Sequence, residues 1–184
     1  VYELLLTRTN INLVFHGETE ISFPIFLEKY EKNESVYNIP GISYVSNGNK
    51  IVTNPPPEQI KDIDSIPFPA YHLVDLKKYF YNIKDWLDTY KILLDNNPNF
   101  TSMINKIGNK THYLPLNTAR GCTHRCSFCY RHMRGIRQHS PGYVISHMKY
   151  LINTYGISAF QFADELFNSD PGWVLELCDL IEKE

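Results

Sequence analysis

The chain reads ARGCTHRCSFCY at residues 119–130, a stretch that contains three closely spaced cysteines. Their spacing is C-x3-C-x2-C: Cys122, Cys126 and Cys129. Three thiolates on one short loop can hold three irons of a cubane iron–sulfur cluster while the fourth iron stays open to another ligand. A closed zinc site would need a fourth ligand, for which His124 or His132 is available. The spacing is unlike the paired C-x2–4-C knuckles of common zinc modules, so it favours the iron–sulfur cluster.

The residues around this loop predict an α/β unit. The predicted elements are strands at Tyr113–Ala119 and Ile157–Ala163, a helix between Ser140-Pro141 and Gly156, and a helix that begins at Asp170-Pro171. This order predicts parallel strands joined by a crossover helix. The cysteine loop and Asp164-Glu165 then follow neighbouring strands at the same edge of the sheet. Sites in such folds are built at that edge.

The first third of the chain predicts a separate α/β piece and a hairpin. Helices are predicted at Val1–Arg8 and Glu18–Lys32 on either side of a buried strand at Ile11–Phe15. Gly41–Val45 and Lys50–Thr53 flank an Asn-Gly turn and are predicted to form a β-hairpin. Because the chain starts and stops within apparent helices, we expect it to be a fragment of a larger protein.

Proline-rich segments separate these pieces. Asp62–Leu76 reads DIDSIPFPAYHLVDL, a connector with enough apolar side chains to pack on another element. Tyr81–Lys110 is interpreted as an insertion without an assigned role. The predicted division is therefore 1–36, 37–112 and 113–184: an α/β tail, a hairpin with linker and insertion, and the strand–helix units that carry the cysteines.

Composition narrows the classes of protein that the chain can belong to. It has 184 residues, 43% hydrophobic and 21% charged, with a formal net charge of −2. This balance is ordinary for a globular protein and gives no reason to expect a nucleic-acid partner. No apolar run is long enough for a membrane span. Clustered rather than paired cysteines indicate a metal site in a reducing compartment, so the cytoplasm is expected. Cys178, on the apolar stripe of the last helix, is predicted to be buried.

The loop resembles the signature loop of the radical S-adenosylmethionine superfamily. It is most similar to the subgroup that carries an upstream cobalamin-binding domain, although Thr123 stands where proline is usual. Three further matches occur in the order of the family: Gly17–Glu20 (GETE), Ile66–Ala70 (IPFPA) and Phe162–Phe167 (FADELF). The resemblance covers most of the chain apart from the predicted insertion.

This resemblance implies both a fold and a chemistry. The fold would be the tail of a Rossmann-like cobalamin-binding domain, a hairpin linker, and the first two βα units of a radical S-adenosylmethionine partial TIM barrel. The cofactors would be a 4Fe-4S cluster and S-adenosylmethionine, which is cleaved reductively to methionine and a 5′-deoxyadenosyl radical. Cobalamin-dependent relatives can transfer a methyl group from methylcobalamin. An electron donor such as flavodoxin or ferredoxin is expected as a partner.

Four residues beyond the cysteines are candidates for binding S-adenosylmethionine. Phe128 directly precedes the last cysteine, where its ring could cover a purine. The resemblance implies that a carboxylate after the second strand holds the methionyl ammonium, and Asp164 and Glu165 both remain candidates. Arg120 opens an arginine-rich stretch in which residues 114–163 contain no Asp or Glu. The positive field of this stretch suits an anionic cluster, a bound carboxylate or an anionic small-molecule substrate.

Two alternatives remain open at the level of sequence. One is a non-catalytic module that binds zinc or an electron-transfer cluster through the same cysteines. The other keeps the enzyme class but lacks cobalamin, since the Asp-x-His-x-x-Gly motif of many cobalamin domains is absent from the chain. Whether or not the enzyme uses cobalamin, the fragment alone is expected to lack turnover, because two parallel strands leave open edges and an uncovered core.

Overall fold

The computed structural model describes residues 2–80, 102, 112–130, 133 and 135–184. The predicted insertion lies, except for Ser102, outside the described residues. Packing divides the chain into two compact units, Val1–Asp62 and Ile63–Glu184. None of the described helices is long and apolar enough to cross a membrane.

The first unit is built around a three-stranded antiparallel sheet. Its elements are α1 (Tyr2–Arg8), β1 (Leu13–Phe15), α2 (Thr19–Glu31), β2 (Ile42–Val45) and β3 (Ile51–Thr53), and the strand order is β1-β2-β3. The predicted hairpin is confirmed: β2 and β3 pair antiparallel, and Ser46 N–H donates to the Lys50 carbonyl at 2.8 Å. Asn49 adopts φ 58° in the turn, a left-handed conformation that asparagine tolerates better than most residues.

The hairpin is more than a linker in this fold. β1 pairs antiparallel with β2, with Val14 opposite Ser43, so the hairpin completes the sheet that β1 begins. The hairpin lies within the first compact unit, Val1–Asp62. The division into residues 1–36, 37–112 and 113–184 stays a prediction. The cobalamin-binding origin assigned to residues 1–36 stays a prediction.

The second unit contains the predicted parallel strands. Its elements are β4 (Tyr113–Leu116), β5 (Ala119–Arg120), β6 (Arg137–Gln138), α3 (Pro141–Tyr155), β7 (Ala159–Phe162) and α4 (Pro171–Lys183). β4 and β7 pair in parallel, with Tyr113 opposite Ala159 and Leu116 opposite Phe162. This parallel pair with α3 between its strands confirms the α/β character and the strand–helix order expected from the sequence.

Both described helices of this unit begin where the capping residues predict, and α3 also ends where its glycine predicts. The Ser140 side chain accepts a hydrogen bond from Tyr143 N–H at 3.1 Å, and Gly156 ends α3 in the left-handed conformation at φ 69°. Asp170 caps α4 by accepting from Gly172 N–H at 2.9 Å. These caps satisfy backbone groups that have no partner within the helix.

The connector after Asp62 packs within the second unit as three short 3₁₀ turns. The turns lie at Ile63–Ser65, Tyr71–Leu73 and Leu76–Tyr79. Tyr143 of α3 donates its hydroxyl to the Ile66 carbonyl at 2.8 Å, and the Phe68 ring stacks on His147 with centroids 4.3 Å apart. The connector therefore covers one face of α3.

The core of the second unit lies between the parallel strands, α3 and α4. Its buried members include Leu114, Leu116, Val144, Leu151, Ile157 and Leu177. The prediction that Cys178 is buried is wrong: Cys178 is exposed, and Ile181 on the same helix is 42% exposed. Among the described residues only Leu177 of α4 is buried, because the contact of α4 with the core is narrower than its apolar stripe suggests.

Truncation of Leu177 tests this core. Leu177 is 1% exposed, whereas Leu175 on the same helix is 67% exposed. Leu177→Ala is expected to lower the free energy of unfolding by about 2–5 kcal/mol, because it removes buried methyl groups and leaves a cavity. Leu175→Ala, the matched control, is expected to change it by less than about 0.5 kcal/mol. Urea unfolding followed by circular dichroism measures both, and equal effects would contradict the assignment of the core.

Candidate functional site

The cysteine loop has a closed base. β5 and β6 pair antiparallel, with Ala119 opposite Gln138 and Arg120 opposite Arg137, so residues 121–136 form a loop on a two-stranded stem. Gly121 adopts φ +85°, and an ideal Cβ on it would lie 2.4 Å from the Gly135 carbonyl oxygen. Only glycine fits where the two ends of the loop approach so closely.

The three cysteines of the loop are free thiols with solvent access. Cys122 is partly buried, and Cys126 and Cys129 are exposed. His124 N–H donates to the Cys122 sulfur at 3.4 Å, and Cys129 N–H donates to the Cys126 carbonyl at 3.2 Å. The thiolate is the form of cysteine that binds metals.

The chemistry of these donors fits an iron–sulfur cluster. All three thiols lie on one loop, none is consumed by a disulfide, and the loop is accessible to an incoming cluster. Across the described parts of the chain, no three His, Cys, Asp or Glu side chains are already grouped closely enough to hold a metal ion. The nitrogen Nδ1 of His124 lies 3.7 Å from the Cys122 sulfur, and His132 lies outside the described residues. The assignment of the three cysteines as cluster ligands stays a prediction.

A cleft of about 290 Å³ lies beside the stem and brings three of the predicted site residues together. Arg120, Asp164 and Glu165 line it with Gly121 and Met133. Phe128 is not among its lining residues and is 90% exposed on the loop. Gly121, which lines the cleft, directly precedes Cys122 in sequence, so the cysteine loop begins at the cleft.

The structure separates the two neighbouring carboxylates. Asp164 Oδ1 accepts hydrogen bonds from Thr118 N–H at 2.6 Å and Ala119 N–H at 2.7 Å, and its Oδ2 accepts from the Thr118 hydroxyl at 2.7 Å. Glu165 is exposed at the same cleft. The geometry therefore favours Glu165 as the carboxylate that can turn toward a ligand.

A second cleft, of about 360 Å³, lies between the connector and α3. Arg120 also lines this cleft, together with Tyr71, His139, Tyr143 and His147. The Tyr71 hydroxyl lies 3.0 Å from His147 Nε2. Burial raises the pKa of Tyr71 to about 12, so the phenol keeps its proton. The direction of its hydrogen bond with His147 depends on which imidazole nitrogen carries the proton.

Burial of His147 makes the second unit sensitive to acid. His147 is 6% exposed, and burial, with a smaller contribution from the charge of His139, lowers its pKa from 6.5 to about 4. The unfolded chain therefore binds a proton at a higher pH than the folded chain does. The contribution of neutral His147 to the free energy of unfolding is fully present above about pH 6.5. It is lost as the pH falls toward 4, by up to about 3 kcal/mol.

The pH dependence can be separated from its neighbours by substitution. Burial also lowers the pKa of His139, so this histidine too is expected to reduce the free energy of unfolding as the pH falls. At Asp64, burial opposes but does not outweigh the hydrogen bonds from Ser140 and His139, so its pKa is lowered and its contribution is lost only at more acidic pH. Urea unfolding at several pH values between 7.5 and 4 gives the free energy of unfolding as a function of pH. This free energy should fall less steeply with decreasing pH for His147→Gln than for the wild type. An unchanged slope would contradict the assignment.

Sequence reasoning missed several residues around these clefts. Asp64, Tyr71, His139 and His147 had no assigned role, although Asp64 Oδ1 lies 2.9 Å from His139 Nδ1. Asp64 and Tyr71 flank Ile66–Ala70, the segment that resembles the family connector, and no sequence pattern marks His139 or His147. Of the five arginines in the stretch of residues 114–163, Arg120, Arg125 and Arg137 are described, and Arg131 and Arg134 lie outside the described residues.

No protein-family model matches the chain. Among curated proteins it is 28% identical to an uncharacterized methyltransferase of Pyrococcus horikoshii, over 95% of the chain and 32% of that protein. It is also 28% identical to cytidylyl-2-hydroxyethylphosphonate methyltransferase of Streptomyces wedmorensis, over 94% of the chain and 33% of that protein. It is 25% identical to the anaerobic magnesium-protoporphyrin IX monomethyl ester cyclase of Cereibacter sphaeroides, over 92% of the chain and 24% of that protein. The chain thus spans a third or less of these relatives.

Solved structures show the same fold. The cobalamin-dependent S-adenosylmethionine radical enzyme OxsB matches with a TM-score of 0.64 at 19% identity, over 94% of the chain and 21% of OxsB. The radical S-adenosylmethionine methyltransferase TsrM of Kitasatospora setae matches with a TM-score of 0.56 at 17% identity, over 94% of the chain and 29% of TsrM. The resemblance indicated by the cysteine loop is therefore confirmed: over nearly its whole length the chain resembles the cobalamin-dependent subgroup of the radical S-adenosylmethionine superfamily.

Proposed function

We propose that the chain is part of a longer radical S-adenosylmethionine enzyme, called the full-length protein below, and that it carries the cluster-binding loop of that enzyme. The observation that carries the proposal is the position of three accessible thiols on one loop, whose stem borders a cleft lined by Arg120 and Glu165. When bound at Cys122, Cys126 and Cys129, a 4Fe-4S cluster supplies the open iron and the electron that cleave S-adenosylmethionine reductively.

The residues of the chain bind and orient S-adenosylmethionine in this proposal. Glu165, exposed at the cleft, accepts hydrogen bonds from the methionyl ammonium, as a carboxylate does from a cation. Arg120 contributes positive charge beside the anionic cluster and the bound carboxylate. Phe128, exposed on the loop, supplies an apolar surface for the purine. The Gly121 backbone allows the loop to start directly at the edge of the cleft.

The reaction we propose for the full-length protein is methyl transfer with cobalamin. Two of the curated relatives named above are methyltransferases, and both solved neighbours are S-adenosylmethionine enzymes. The substrate is proposed to be a small molecule with anionic character, because the arginines of the loop stretch have no acidic neighbours in sequence. A reduced flavodoxin or ferredoxin in the cytoplasm is the proposed electron donor.

Anaerobic reconstitution of the full-length protein tests the proposal. The expected product is brown, carries about four irons per chain and releases 5′-deoxyadenosine or a methylated product when S-adenosylmethionine and a reductant are added. A colourless protein that binds zinc would support the alternative of a non-catalytic module, for which His124 beside Cys122 is the favouring contact. The 184-residue chain alone is expected to show no turnover, and robust 5′-deoxyadenosine release from it would contradict that expectation.

A further inference from the structure

Two carboxylates fasten the base of the cysteine loop from opposite sides. Resting on the proposed function, we propose that Asp164 and Asp64 are positioning residues: Asp164 fixes the point where the chain enters the loop, and Asp64 fixes the point where it leaves. Neither is proposed to touch the cluster or S-adenosylmethionine. Their role is to hold the stem closed so that the three thiolates stay within reach of one cluster.

At the entry, the Asp164 side chain continues the sheet where the strand ladder stops. The last backbone contact between the strands is Ala163 N–H to the Leu116 carbonyl at 3.0 Å. Asp164 then accepts both successive backbone N–H groups of Thr118 and Ala119 and the Thr118 hydroxyl, all within 2.7 Å. Thr118 is 0% exposed, so its N–H and hydroxyl have no access to water as a replacement partner.

At the exit, Asp64 performs the equivalent task from the connector. Its carboxylate accepts Ser140 N–H at 3.0 Å and lies 2.9 Å from His139 Nδ1. The His139 carbonyl is held in turn by the Trp173 indole N–H at 2.7 Å. Two separate segments, the connector and α4, thus hold the two residues that follow β6.

The two carboxylates act on one connected network. The Thr118 carbonyl accepts His139 N–H at 2.8 Å, so the peptide groups of Thr118 link the Asp164 contacts to the Asp64 contacts. β5 and β6 pair directly beyond this contact. Loss of the contacts at either end would let β5 and β6 separate. The three cysteines would then lie on a loop whose ends are not fixed, and they would lose the pre-organisation that favours binding of one cluster by all three.

The neighbouring Glu165 makes the roles separable by experiment. Both oxygens of Asp164 are committed to the backbone and hydroxyl of Thr118 and to Ala119 N–H, whereas Glu165 is exposed at the cleft. A positioning residue should change cluster retention, and a residue that contacts S-adenosylmethionine should change the KM for S-adenosylmethionine. A merely structural role would lower global stability without separating cluster retention from the KM for S-adenosylmethionine. Measuring both quantities therefore excludes it.

The test uses the full-length protein with Asp164→Asn, Asp64→Asn and Glu165→Gln. Thr118→Val, which removes the hydroxyl donor at constant size, probes the Asp164 contact from the other side. The expected result for Asp164→Asn and Asp64→Asn is at least a tenfold faster loss of iron to a chelator with the KM for S-adenosylmethionine unchanged within twofold. Thr118→Val should shift iron loss in the same direction by a smaller factor. Glu165→Gln should raise the KM at least tenfold with unchanged iron loss, and Asp179→Asn on the exposed side of α4 should change neither.

Hydrogen exchange on the cluster-free protein supplies an independent readout. The Thr118 and Ala119 amides should exchange at least tenfold faster in Asp164→Asn, while amides in the middle of α3 keep their protection. Unchanged exchange, or a raised KM with unchanged iron loss in Asp164→Asn, would overturn the proposal. A wild-type protein that takes up no iron would overturn the proposed function instead, and the exchange measurement would still decide whether the carboxylates hold the stem.

Discussion

Substitution of any one of Cys122, Cys126 or Cys129 by serine in the full-length protein is expected to reduce S-adenosylmethionine cleavage to background. Each substitution leaves two thiolates on a loop where the cluster needs three, and a neutral hydroxyl is a poor replacement for a thiolate ligand of iron. Iron content should fall from about four per chain to less than about one after anaerobic reconstitution. Iron and sulfide analysis, with quantification of 5′-deoxyadenosine, measures both effects.

Cys178 is the matched control for these variants. It is the fourth cysteine of the chain, and it lies exposed on α4, outside the cysteine loop. Cys178→Ser should keep wild-type iron content and activity, which shows that thiol removal in itself is harmless. A single-site loop variant that retains full iron content and full activity would remove that cysteine from the ligand set.

Gly121→Ala is expected to have the second largest effect, since it acts on the geometry of the stem without removing a ligand. The new methyl group would lie 2.4 Å from the Gly135 carbonyl oxygen, and the backbone would have to keep φ +85°. Strain at positive φ alone costs about 1–3 kcal/mol. Because the overlap is with backbone, the stem must open to relieve it, so we expect a total loss of at least about 3 kcal/mol in stem stability.

Two other glycines separate strain from overlap. Gly135 has φ +71° with open space where a methyl group would be added, so Gly135→Ala should cost about 1 kcal/mol and retain most of the iron. Gly142 lies in the first turn of α3 with its nearest neighbour at 4.0 Å, so Gly142→Ala should be neutral or stabilising by up to about 1 kcal/mol. Hydrogen exchange in the stem and iron content after reconstitution measure the series. Equal behaviour of Gly121→Ala and Gly135→Ala would contradict the close approach.

Local signals in the sequence predicted the parts of the fold that depend on local chemistry. Ser140-Pro141 and Gly156 bound α3 because capping and left-handed glycine are properties of single residues and their immediate neighbours. The Asn-Gly turn predicted the β2–β3 hairpin for the same reason. The parallel pairing of β4 with β7 followed from the strand–helix order, since such strands need a crossover connection.

Contacts between distant residues left no such signal. Asp64 and His139 are 75 positions apart, and a hydrogen bond over that distance produces no periodicity in either segment. The hydrogen bonds of Asp164 likewise depend on the position of the Thr118 backbone, 46 positions away. The pairing of β1 with β2 and the exposure of Cys178 were also decided by tertiary packing.

Electron paramagnetic resonance of the reduced full-length protein tests the central claim most directly. The predicted result is the spectrum of a reduced 4Fe-4S cluster, at about four irons per chain, whose g-values shift when S-adenosylmethionine is added because the ligand binds the open iron. The spectrum itself should be lost in variants of Cys122, Cys126 or Cys129, which are expected not to retain the cluster. A reduced cluster with an identical spectrum in the presence and absence of S-adenosylmethionine, or a protein that holds zinc in place of iron, would contradict the account.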